Sequence, residues 1–287
     1  MKPYFFRRTT FQQSLRLMFK LGMAGVLGSL ASCVEHPSTP LSGSADQMQS
    51  SQVQVHILSR DLSQVIGERT YGELVASLID EEKVETNARI KKRVEIIATR
   101  LVQQATAAYP FSREWEWEIH IVKSDDVNAS CMPGGKMTIN TGLLELTQFD
   151  EHKVATVLGH EIAHALLEHG RTRIGRSAVT MGTLQAMAQS FKMGMLRIST
   201  LADSLNTITL PMDRQHEREA DLLGMQLMSR AGYNPVRGAL IWEDMQDEEP
   251  SPILAQRLEP YLSSHPTNTE RLDTLTQVAR QLAVPSK

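Results

Sequence analysis

Apolar positions along the chain follow two periods. From Val84 to Ala108, the residues Ala88, Val94, Ile97, Leu101 and Ala105 recur at helical spacing among many charges, and Tyr109-Pro110 stops the run. Directly afterwards the period falls to two. Trp115, Trp117, Ile119 and Ile121 alternate with Glu114, Glu116, Glu118 and His120, which predicts a half-buried strand. A second strand is predicted over Lys136–Asn140, launched from the turn Pro133-Gly134-Gly135. Two more helices are predicted, one between Asp150 as N-cap and Gly170 as stop, the other from Asp213 to about Ala231. No internal repeat appears, which excludes a solenoid. The expected fold class is α+β, mostly helical, with one small β-sheet.

The first 32 residues do not belong to that fold. Lys2, Arg7, Arg8, Arg16 and Lys20 precede a short apolar run, Leu21 to Leu30, too short to span a bilayer as a stable helix, and Leu30-Ala31-Ser32-Cys33 follows. That quartet resembles a bacterial lipobox and implies a lipoprotein signal peptide over 1–32 with lipidation at Cys33. An uncleaved anchor or an ordinary secretory signal is the alternative, and Met18 is a second possible start. Val34 is not aspartate, which favours the outer membrane over inner-membrane retention in such lipoproteins. Residues 33–60, with His36-Pro37 and Ser42-Gly43-Ser44 and many Gln and Ser, read as a lipid-anchored tether, leaving 61–287 as the one folded domain.

Composition narrows the classes further. The net charge is −3 over 287 residues, and the five basic residues of the leader leave −8 on the remainder, a poor balance for binding nucleic acid. A mean hydropathy of −0.25 excludes a polytopic membrane protein. With Cys33 acylated, Cys131 is the one thiol left, so there is no disulfide framework, and it reads as a small buried residue.

Candidate chemistry lies in His160-Glu161-Ile162-Ala163-His164. The i, i+4 spacing puts both imidazoles on one helix face, where their nitrogens can converge on one Zn²⁺, while Glu161 lies beside that face and can take a proton from a water. Small and apolar residues around the motif suit a buried site helix. A metzincin would need Gly at 167 and His at 170, where the chain has Leu167 and Gly170. A thermolysin-like site would need a glutamate some twenty to thirty residues on, yet Arg171 to Ala202 holds no acid. The next acids open the later helix, where Glu217 and Asp221 share a face.

Pairing that motif with Glu217-Arg218-Glu219-Ala220-Asp221 resembles the HtpX, Oma and CAAX-prenyl-protease group of gluzincin endopeptidases. Leu210-Pro211, Asp126-Val127-Asn128-Ala129, Pro133 to Leu144, Ser264-His265-Pro266 and Arg271 fit the same pattern, so the likeness runs from about residue 61 to 280. It is nearest to the soluble periplasmic members. Helical repeats of the kind some of them carry do not follow, so docking through such repeats is not implied.

The resemblance implies one Zn²⁺ per chain, held by His160, His164 and Glu217, with Glu161 as general base. It also implies quality-control cleavage of unfolded, damaged or misassembled envelope proteins, with outer-membrane assembly machinery as a further partner. A zinc-stabilised chaperone or assembly factor with latent peptidase activity is the other class. Asp221, one turn beyond Glu217, can orient a ligand histidine; a helix-surface acid is the alternative. Glu219 is expected to be solvated, and His169 and His216 to lie off the metal-facing stripes.

Substrate is expected along Asn128 and the strand Lys136, Met137, Thr138, Ile139 and Asn140, if that strand is a free edge rather than an internal one. Pro266 is expected to start a helix, with His265 at the loop–helix junction before it, and the resemblance places this element near the metal. Three roles stand open for it: a latch on the fourth zinc position, an oxyanion donor together with Arg271, or a purely structural residue. The stretch 171–200, with Met181, Met187, Met193 and Met195, reads as core packing, a mobile hairpin or a membrane-surface patch.

Overall fold

The computed structural model describes residues 58–178, 214–245, 250–265 and 269–283. Cys33, the leader, residues 33–57 of the expected tether, Leu210-Pro211 and the four methionines of 171–200 lie outside them, while residues 58–60 already belong to the fold. Helix α1 (Arg60–Asp80) starts where the Ser59 side chain accepts from Leu62 N–H. Helix α2 (Ala88–Ala108) begins four residues later than its apolar period suggests, because the Asn87 side chain caps it and Val84 bridges to Val122 instead. Its inner face buries Val94, Ile97, Ala98, Leu101, Val102 and Ala105.

The predicted strand is shorter than the alternation. Pro110 opens a 3₁₀ turn (Pro110–Glu114), Trp117 donates to Ser112 O, and Trp115 packs between Phe111 and Trp117, so pairing starts only at β1 (Glu118–Val122). A hairpin follows, β2 (Ala129–Met132) and β3 (Lys136–Asn140), turned by Gly134 and Gly135 at φ 89° and 77°, values that favour glycine. The sheet order is β1-β3-β2, β3 running parallel to β1 and antiparallel to β2.

This corrects the expected substrate strand. Lys136, Met137, Thr138 and Ile139 pair with neighbours on both sides and are buried, and Asn140 N–H is taken by Asn128 O. A strand with both rows of backbone groups occupied cannot add a peptide. The edge beside it is β2, which a four-residue run beginning Ala129-Ser130 did not advertise.

One face of the sheet, Ile119, Ile121, Met137, Ile139 and Ala129, joins the apolar core. The other is polar and lies under α1, where Tyr71 donates to Met137 O and its hydroxyl lies 2.8 Å from His120 Nδ1. After a short helix α3 (Thr141–Leu146) comes α4 (Glu151–Leu166), its N-cap Asp150 accepting from His152 N–H as expected.

Gly170 does not stop α4. The break falls at Glu168, whose φ of 58° reverses the chain while its carboxylate is held by Arg60 and Arg171, and a new helix, α5, runs over 169–178. Four helices complete the described chain: α6 (214–230), α7 (Pro235–Met245), α8 (Pro252–Ser264) and α9 (Thr269–Ala283). Helices α4 and α6 cross at glycines. A Cβ on Gly224 would stand 2.7 Å from His160 N, and one on Gly159 2.9 Å from Gly224 O. Among the described residues no helix is long and apolar enough to cross a membrane.

Candidate metal centre

Helix α4 is buried along most of its length and delivers His160, Glu161 and His164 into the core. Helix α6 brings Glu217 and Asp221 across it, the C-terminal cap of α8 brings His265, and α9 brings Arg271. His160, His164, Glu217 and His265 each present one donor atom, all within 4.8 Å of one another. The Nε2 atoms of His160 and His164 are 2.9 Å apart, and Glu217 oxygens lie 3.3 and 3.2 Å from them.

Donors around a tetrahedral zinc stand roughly 3.3 Å apart at ordinary bond lengths. Lone pairs packed this closely repel unless a proton or a cation lies between them. The donor set, two imidazoles and a carboxylate with a third imidazole in reach, therefore fits one zinc ion.

The surroundings are set for the same purpose. Asp221 Oδ1 lies 2.9 Å from His160 Nδ1, the ring nitrogen facing away from the cluster. Arg271 reaches Asp221 at 2.5 and 2.8 Å and Glu217 at 3.1 Å, and its guanidinium also lies over Trp242. Burial raises both carboxyl pKa values, but the contacts outweigh it. Arg271 holds Asp221 low, and the three imidazoles hold Glu217 low. Burial lowers the His160 pKa, yet Asp221 and Glu217 push it up to about 9, a proton that a metal ion would displace.

One expectation about the late residues changes: Arg271 is committed to two carboxylates rather than aimed at a substrate oxyanion. Pro266, the expected helix start, lies outside the described residues. His265 caps the end of α8, its N–H donating to Tyr261 O and its ring stacked on Tyr261. From there its Nδ1 lies 3.2 Å from His160 Nε2 and 3.1 Å from Glu217 Oε2.

Glu161 is buried, and its Oε1 makes no hydrogen bond; the nearest imidazole nitrogen is His265 Nε2 at 3.5 Å. Burial raises its pKa. Strand β2 packs against α4, and burial and then the Glu161 carboxylate push the thiol of half-buried Cys131 up.

Glu219 and His169, expected to be solvated and off the metal-facing stripe, join the site instead. The carboxylate of Glu219 meets Gln215 Nε2 at 2.8 Å and His169 Nε2 at 3.2 Å, and His169 Nδ1 lies 2.9 Å from His164 Nδ1. His216 stacks flat on His169 with centroids 4.1 Å apart. On an uninterrupted helix His169 would fall about 140° from His164. The reversal at Glu168 brings it back, and no helical wheel shows that.

Two histidines one turn apart on one helix, a carboxylate from a crossing helix and a buried acid next to the first histidine define a gluzincin-type zinc metallopeptidase site. The chain belongs to Peptidase family M48, whose model matches residues 85–279. It is 35% identical to "Mitochondrial metalloendopeptidase OMA1" of Arabidopsis thaliana over 161 residues, 56% of this chain and 31% of that protein. With the OMA1 of Saccharomyces cerevisiae it shares 28% over 233 residues, 77% of this chain and 64% of that one. With the "Beta-barrel assembly-enhancing protease" of Escherichia coli it shares 23% over 197 residues, 66% of this chain and 39% of that protein. The chain thus spans from 31% to 64% of the length of these relatives.

Proposed function

We propose that the chain is a zinc-dependent endopeptidase cleaving unfolded, damaged or misassembled envelope proteins, anchored through a lipid on Cys33 at the periplasmic face of the outer membrane. The observation that carries the enzymatic reading is the tight donor cluster with the free oxygen of Glu161 beside it. His160, His164 and Glu217 would hold the zinc, which when bound supplies Lewis acidity toward a scissile carbonyl and a water. Glu161 accepts the proton of the attacking water and passes it to the leaving amine. Asp221 and Arg271 keep His160 and Glu217 in place.

An extended peptide adds to the edge of β2, with Asn128 at its start. Backbone pairing there asks little of the side chains, which suits unfolded substrates. The name of the Escherichia coli relative, which speaks of β-barrel assembly, supports this reading, and the lipobox supports the location. Palmitate labelling of the protein in a bacterial host, abolished by Cys33→Ser, is expected; label persisting in that variant refutes the anchor.

His265 within the donor set favours a second reading, a chaperone whose peptidase is latent. Casein digestion that 1,10-phenanthroline stops and zinc restores is the expected result, whereas hydrolysis indifferent to both overturns the zinc mechanism. In the same assay His265→Ala raises basal turnover if the imidazole is a latch. It lowers turnover with zinc retained if the imidazole assists, and absence of turnover in either protein supports the chaperone.

A further inference from the structure

The outer nitrogens of the two site histidines are served differently. His160 Nδ1 faces a carboxylate directly, whereas His164 Nδ1 faces a third histidine, which in turn faces Glu219. A neutral imidazole carries one N–H and one lone pair, so each ring in such a chain donates from one side and accepts on the other. The carboxylate at the end settles the direction. Ionised Glu219 only accepts, so the proton of His169 sits on Nε2; its Nδ1 is then a lone pair, and the 2.9 Å contact requires the proton on His164 Nδ1. The reverse assignment fails at the carboxylate and at the metal. It sets the Nε2 lone pair of His169 against Glu219, and it puts a proton on His164 Nε2, the atom in the donor cluster that a bound zinc would need as a lone pair.

We propose that His169 and Glu219 are positioning residues that fix the tautomer and ring plane of His164 through this relay, leaving His164 Nε2 as a lone pair aimed at the zinc. The inference rests on the ligand assignment proposed above and extends it to residues that touch neither metal nor substrate. The scaffold fits the task. His169 is 4% exposed, so water does not compete for its nitrogens, and the flat stack of His216 holds its plane. Gln215, one helical turn before Glu219, holds the other oxygen of that carboxylate. The reversal at Glu168 sets the ring in register, with Arg60 and Arg171 fixing the reversal. An outer hydrogen bond to a zinc-ligating histidine is commonly worth 10–100-fold in metal affinity.

The test measures the zinc dissociation constant of the full chain by competition with a fluorescent chelator. His169→Phe, which keeps a ring under His216 but no polar atoms, is expected to weaken zinc by about 10–100-fold. His169→Gln, whose amide oxygen can accept from His164 and whose amide nitrogen can donate to Glu219, is expected to recover most of the loss. Glu219→Ala alters a side chain 34% exposed, folds with little penalty, and is expected to weaken zinc less. Combined with His169→Phe it is expected to add nothing further, because Glu219 acts only through His169. Additive losses in the double variant, or equal losses for Phe and Gln at 169, overturn the relay in favour of simple packing. Glu217→Ala separates the two layers of the argument. Zinc retained there overturns the ligand assignment and the relay with it; zinc lost there but held at wild-type affinity by His169→Phe overturns the relay alone.

Discussion

Glu161→Gln is expected to keep zinc near one per chain while lowering casein turnover by about 10²–10⁴-fold, the range a positioned general base contributes. The amide has the size and hydrogen-bonding reach of the acid but cannot take up a proton. Glu161 lies outside the four-donor cluster, so the metal has no reason to leave. Its carboxylate is 3% exposed, and burial raises its pKa, so it is a better base than a surface glutamate while one oxygen remains available. Metal analysis and turnover on the same preparation check both halves. Full activity in the variant removes Glu161 from the mechanism, and loss of zinc makes it a ligand.

Glu217→Ala is expected to weaken zinc by orders of magnitude, because it deletes the one anionic donor of the cluster and leaves imidazoles alone. A second effect travels with it. Arg271 is 5% exposed and loses one of its two carboxylates, which costs about 1–3 kcal/mol of stability, less than a fully orphaned buried charge because Asp221 stays. Thermal unfolding beside metal analysis separates the two. Near-stoichiometric zinc in a folded Glu217→Ala protein would move the third ligand to Asp221, Glu219 or His216.

What the sequence disclosed here depended on how local the geometry is. His160 and His164 share a face because four residues on any α-helix do, and Asp150 caps because its side chain reaches two residues ahead. Glu217 was reached through resemblance, since nothing in its own neighbourhood says which helix it crosses. The place of β3 in its sheet was not legible, because centre and edge are decided by two partners upstream, β1 eighteen residues before it and β2 four to ten residues before it. Trp115 and Trp117 kept the alternation of a strand while packing as an aromatic cluster. Helix α1 went unread because no continuous apolar stripe marks it; it lies on the polar face of the sheet, where Tyr71 meets His120. The histidine relay was hidden by a backbone reversal at Glu168, a residue type that seldom adopts positive φ.

The glycine crossing of α4 and α6 has its own implication for how this site tolerates change. Where side chains separate two helices, each exchange of one apolar residue for another resets the spacing by fractions of an ångström. Here backbone meets backbone one residue before His160 and three residues after Asp221, so peptide dimensions gauge the gap. Neighbours such as Leu158, Ile162, Met225 and Leu227 can drift among apolar types of similar volume, at some expense in packing, while the span from His160 to Glu217 stays put. The metal centre is in that sense calibrated by the main chain and insulated from the slow turnover of the core around it.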